Sequence, residues 1–140
     1  MGVEFKNNQA FFRKIKSFGK DTEEIVKEEL QVTIDDIYNE ALQRAPADMG
    51  GGVGIRGSAF KQVNGLDGEV GFRNRYAAYV EFGTGTKVQI PKGLEDYAME
   101  FYVNGKGRLP ARPFLFPAWF RESAEFLKRI REAMEKEWVK

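Results

Sequence analysis

Between Asp21 and Pro46 the apolar residues fall on one side of a helix, and that pattern restricts the fold more than any other in the chain. Val26, Leu30, Thr33 with Ile34, Ile37, Ala41 and Ala45 recur every three or four residues, the spacing of a helix with one buried face. Pro46 then halts it, because proline cannot donate the next backbone hydrogen bond. The spacing predicts a helix over residues 22–45, on the order of 36 Å long. Its apolar stripe has to be covered by other elements. Asp21 followed by Glu24 reads as a capping-box-like start, with a carboxylate placed to accept the first backbone N–H groups.

What surrounds this helix reads as mixed structure. Phe11, Phe12, Ile15 and Phe18 have helical spacing, and Gly19 suits the end of that turn. Met49-Gly50-Gly51-Gly52-Val53-Gly54 is a loop. Ile55 to Val63 reads as a strand, Asn64-Gly65 and Asp67-Gly68 as turn residues, and Gly68 to Phe72 as the returning strand of a hairpin. Tyr76 to Phe82 is a short helix with Tyr76, Tyr79, Val80 and Phe82 turned inward. Lys87 to Ile90 reads as a third strand, Leu94 to Tyr102 as a helix, and Asn104 to Gly107 as a turn. A last helix opens near Pro113 and runs to about Trp138, with Phe116, Phe120, Leu127, Ile130, Met134 and Trp138 as its inward positions. The expected class is α+β: a long N-terminal helix, a small antiparallel sheet built on a β-hairpin, short central helices and a long C-terminal helix. No repeat or linker divides the chain, so residues 1–140 read as one domain, with 1–20 as a mobile or partner-docking extension.

Composition removes several chemistries. The chain has no cysteine and no histidine, which excludes disulfides, thiol nucleophiles, imidazole bases and the commonest metal ligands. The formal net charge of +1 gives no overall attraction to nucleic acid or to an anionic membrane. No apolar run reaches the roughly 18 residues of a membrane-spanning helix, so a protein made and used in the cytoplasm is expected.

Two segments carry the remaining chemistry. The first is Arg75-Tyr76-Ala77-Ala78-Tyr79-Val80-Glu81-Phe82-Gly83-Thr84-Gly85-Thr86, an aromatic helical turn running into a Gly-Thr loop. The loop resembles a phosphate cradle only superficially. A P-loop follows a buried strand and opens a helix, whereas here a helix precedes and Lys87 leads to Val88-Gln89-Ile90-Pro91. Glu81 is the one acid in this apolar stretch; an arginine partner is expected, with Arg73, Arg75, Arg108 and Arg112 as candidates. The second segment is Arg112-Pro113-Phe114-Leu115-Phe116-Pro117-Ala118, a rigid apolar corner in which Pro117 falls in the tolerant first turn of the last helix. Tyr76, Tyr79, Glu81, Phe82, Gly83, Thr84, Gly85, Arg112, Pro113, Phe114 and Pro117 are therefore the candidate structural and interface residues, with no catalytic, cofactor or metal residue among them. The paired acids Glu28-Glu29 and Asp35-Asp36 diverge around a helix, which is poor metal geometry.

In that order, a long helix ending Ala45-Pro46-Ala47-Asp48-Met49-Gly50, a hairpin, the Tyr76–Thr86 block and the Arg112–Ala118 block, the chain resembles the Hong Kong 97-type phage gene-10-like family of tail components. The resemblance spans roughly residues 20–135. It departs from the family pattern where Met49 replaces a threonine and a glycine run follows. The resemblance implies a non-enzymatic structural protein of a tailed-phage or prophage virion. Its place would be the head–tail neck, in tail completion, tail termination or head–tail joining. It would assemble with itself as a ring, hexameric in form, against neighbouring neck and tail proteins. DNA would be only cargo passing through the channel, and synthesis would be in the bacterial host cytoplasm.

Charge segregation fits such assembly. Residues 1–20 are basic, and 21–40 are acidic, which offers complementary surfaces for head-to-tail contact. Reversing Glu28 and Glu29 is expected to weaken that association. The alternative reading is a nucleic-acid-binding module using Arg73, Arg75, Lys106, Arg108 and Arg112.

Overall fold

In the computed structural model, which describes residues 1–5, 13, 16–46, 54–83, 93 and 110–139, the predicted long helix is α1, Lys20–Arg44. Its buried residues are the predicted stripe: Val26, Leu30, Thr33, Ile34, Ile37 and Ala41, with Thr22 added. The start differs. Gly19, at φ 105°, precedes the helix, and its carbonyl accepts the Glu23 N–H at 3.2 Å. Asp21 therefore lies inside the first turn instead of capping it, where its negative charge favours the positive end of the helix dipole. At the other end the helix is closed by Arg56, whose Nε and Nη2 donate to the Ala45 carbonyl at 3.1 and 2.8 Å. A cation bonded to the last carbonyls is favourable at that pole.

The hairpin forms with a later start than its sequence suggests. Ile55 is fully buried in a short helical turn, α2, Gly54–Gly57. Strand β2 then runs Ala59–Asn64 and returns as β3, Asp67–Phe72. Asn64 pairs with Asp67 across a two-residue loop, Gly65-Leu66, where Gly65 takes φ 62°, a conformation glycine adopts without steric cost. An unexpected strand completes the sheet. Gly2–Phe5 pairs antiparallel with the far side of β3 and is numbered β1, giving the order β1-β3-β2. The sequence hides this strand because it is only four residues long.

Helix α1 packs against β2 and β3 on one side and on the other against α4, Phe116–Val139. The approach to the sheet is close. A Cβ on Gly68 would come 2.7 Å from the Cδ1 and Cγ1 of Ile34, so the bare backbone of β3 is what seats the helix. Between α1 and α4, Arg129 donates through Nε to Glu29 at 2.7 Å and through Nη2 to the Thr33 hydroxyl at 2.6 Å. Arg121 pairs with Glu40 one end further along. The class is α+β, as expected.

The roll of α4 differs from the reading of its sequence. Phe116 and Ile130 are buried, and Phe120 and Met134 pack against the core, but Leu127 is 60% exposed and its neighbour Phe126 is buried in its place. Two adjacent apolar residues leave helical phase ambiguous by about 100°. Arg129 resolves it, since turning Arg129 toward α1 turns Phe126 and Ile130 inward with it. The expected strand over 87–90, helix over 94–102, turn over 104–107 and early helix around Phe11, Phe12 and Ile15 lie outside the described residues, as does the side chain of Trp138.

Candidate functional site

The two motif segments meet at Glu81, through contacts that join residues 33 to 35 apart in sequence. Asn74 opens the first: its side-chain oxygen accepts the Tyr76 N–H at 2.9 Å and its carbonyl the Ala77 N–H at 3.1 Å. Such asparagine turns commonly launch a short helix, here α3, Ala77–Phe82. Ala77, Ala78, Val80, Glu81 and Phe82 of α3 are buried. Gly83, at φ 71°, ends it and donates to the Tyr79 carbonyl at 2.8 Å, a positive-φ conformation that suits glycine.

The second segment returns alongside. Arg112 donates its backbone N–H to the Val80 carbonyl at 2.8 Å. The chain then bends through Pro113 so that three successive N–H groups converge on one carboxylate. Phe114 and Leu115 donate to Glu81 Oε2 at 2.8 and 3.0 Å, and Phe116 donates to Oε1 at 2.9 Å. The first N–H groups of any helix lack partners within it. At the start of α4, Glu81 takes two of them, Pro117 has none to offer, and the Trp119 N–H reaches the Leu115 carbonyl at 3.0 Å. Glu81 is thus a capping residue supplied from another helix, with its acceptor oxygens at the positive pole of α4. Rings close around it. Phe72 meets Phe114 edge-on at 4.8 Å between centroids, and Phe82 lies 5.4 Å from Phe116.

The sequence pointed to an arginine partner for Glu81; the structure supplies backbone donors instead. That solution could not be seen in sequence because backbone N–H groups leave no trace in residue identity. Glu81 is fully buried, and burial raises its pKa against the opposing pull of the Phe114, Leu115 and Phe116 hydrogen bonds. Both carboxylate oxygens are occupied and turned into the core. The group is built as a fastening between α3 and α4, with no face open to a substrate.

The other candidate residues divide. Phe82, Gly83 and Phe114 are buried at the clasp, with Pro117 half-buried beside them, and Arg112 and Pro113 are exposed on its rim. Tyr79 is half-buried. Tyr76, expected inward, is 43% exposed, because it stands at the N-cap position where α3 has not yet turned toward the core. Thr84 and Gly85 lie outside the described residues, as do Lys106 and Arg108. Arg73 and Arg75 are exposed, and each lies over an aromatic ring: Arg73 over Phe60 at 4.2 Å and Arg75 over Tyr76 at 4.9 Å. Arg75 also donates to the Tyr76 hydroxyl at 3.0 Å. Glu29, expected at an intermolecular contact, is used internally by Arg129. Arg56 and Arg129 carry fastening roles that sequence reading missed, since their partners lie 11 and about 100 residues away.

No helix among the described residues is long and apolar enough to cross a membrane. No curated protein and no solved structure matches the chain. A protein-family match does: residues 9–83, more than half of the chain, from before α1 to the glycine that ends α3. It stops two residues after Glu81, so the Arg112–Ala118 block lies beyond it and is joined to it by the clasp. The chain belongs to the family described as "Bacteriophage HK97-gp10, putative tail-component", and so is a phage tail-component-like structural protein.

Proposed function

We propose that this protein works at the head–tail neck of a tailed phage or prophage virion, as a tail-completion, tail-terminating or head–tail joining subunit. It acts by assembling with itself as a ring, hexameric in form, and by contact with the neighbouring neck and tail proteins, while DNA passes through the opening. Family membership gives the class of protein. The observation that carries the reading is the clasp. The one buried acid of the motif is consumed in holding Phe114, Leu115 and Phe116, so the most distinctive chemistry of the chain serves rigidity. A ring subunit needs such rigidity, because each copy must present two different faces at a fixed angle for head-to-tail contacts to close.

The test is deletion of the gene in a phage that carries it, followed by electron microscopy of the lysate. Filled heads and tails accumulating separately, or tails of unregulated length, are expected, with infectivity restored by the gene in trans. Intact infectious particles from the deletion would contradict the proposal.

A further inference from the structure

The two guanidinium–aromatic pairs form one feature that the clasp does not use. Phe60 and Gly71 are directly paired across β2 and β3, and a Cβ on Gly71 would come 2.6 Å from the Phe60 ring. The missing side chain therefore lets the ring lie down on the strand, on the side of the sheet opposite Gly68 and α1. Arg73 is stacked on that ring, and Arg75 on Tyr76 just beyond. Stacking fixes both cations at the surface, and neither has a carboxylate partner among the described residues.

The complementary surface is on the same molecule. The side of α1 facing away from its buried stripe carries Asp21, Glu24, Glu28, Val32 and Asp36, all exposed. Val32 is 46% exposed at its centre. Glu29 and Asp35 are engaged by Arg129 and Lys61, whereas Glu28 and Asp36 have no partner among the described residues.

We propose that the Phe60–Arg73 and Tyr76–Arg75 pairs dock the acidic outward stripe of α1 from a second copy of this chain, Arg73 and Arg75 meeting Glu28 and Asp36 around Val32. The proposal rests on the ring reading above and names its contact. Each surface combines an apolar or aromatic centre with charges of one sign, which is how protein–protein contacts are built. A nucleic-acid backbone would leave Val32 without a role, and the net charge of +1 gives DNA no long-range preference for this chain. The two surfaces lie on different sides of the subunit and are not self-complementary. The contact is therefore heterologous, the head-to-tail type from which a ring is built when its rotation closes.

The experiment uses the full chain at low salt, with sedimentation velocity as the readout and circular dichroism to confirm folding. Wild type is expected to self-associate, and R73E/R75E and E28R/D36R each to associate roughly tenfold or more weakly. An equimolar mixture of the two, or the quadruple variant, is expected to recover association, since both contacts become complementary again. If wild type associates and the folded charge variants associate equally well, the contact is wrong and the ring stands. If wild type remains monomeric at all concentrations, both fail. If the arginine variant instead loses salt-dependent binding to duplex DNA with self-association intact, the surface takes phosphates and the proposal is overturned.

Discussion

A single carboxylate carries more of this fold than its place in a six-residue helix suggests. Three N–H groups converge on Glu81 in the core, and replacing it with alanine strands all three. Each unsatisfied buried donor costs about 1–3 kcal/mol, so Glu81→Ala should destabilise by about 3 kcal/mol or more, read from urea unfolding. Glu81→Gln keeps an acceptor but turns an amide N–H₂ toward at least one of those donors, and should recover only part of the loss. Its pH dependence is informative. Burial raises the Glu81 pKa, so between the ordinary carboxylate range and the raised value the folded chain holds a proton that the unfolded chain has released. This group's contribution to stability therefore falls as pH rises through that window. The Gln variant cannot titrate there, so the stability gap between wild type and Glu81→Gln should narrow with rising pH. A gap that widens would mean that the N–H donors outweigh burial. None of this was legible beforehand. Glu81 stood out as an acid among aromatics, but its partners are backbone atoms 33–35 residues away.

At the scale of elements, the packing of α1 should be sensitive at two points of contact. Gly68→Ala drives a methyl group against Ile34, whose side chain lies 2.7 Å from the added Cβ. Overpacking of this kind typically costs about 1–3 kcal/mol, and a lowered thermal midpoint with the hairpin retained is expected. Arg129→Met, which preserves bulk and removes the bonds to Glu29 and Thr33, should cost about 1 kcal/mol, since the pair is only half-buried. Its effect should fall on the α1–α4 contact and not on the hairpin, which hydrogen exchange can separate. The elements themselves were the legible part. Helical periodicity gave α1 and α4, and the Asn64-Gly65 pair gave the hairpin, because these signals depend on neighbours within a few residues. The four-residue β1, the helical turn at Gly54–Gly57 and the roll that buries Phe126 over Leu127 were not legible. Each is settled by a contact made elsewhere in the chain: the β3 edge for β1, the end of α1 for α2, and Glu29 for the roll.

The whole molecule presents two unlike surfaces, one of stacked arginines and one acidic along α1. Along the chain, basic residues 1–20 precede acidic residues 21–40. Folding redistributes charge: Glu29 and Asp35 turn to internal partners, while Arg73 comes to the surface over Phe60 and Arg75 over Tyr76. Glu29→Arg should therefore impair stability at the α1–α4 contact, and Glu28→Arg should impair association with stability unchanged. Thermal melts and sedimentation of the two variants check that separation. The most direct measurement is a cryo-EM reconstruction of virions from a phage encoding this chain. The account predicts density for it as a closed ring between head and tail, with α3 and α4 joined at Glu81 in every copy. Virions that contain no copy of the chain, or copies placed away from the head–tail axis, would contradict it.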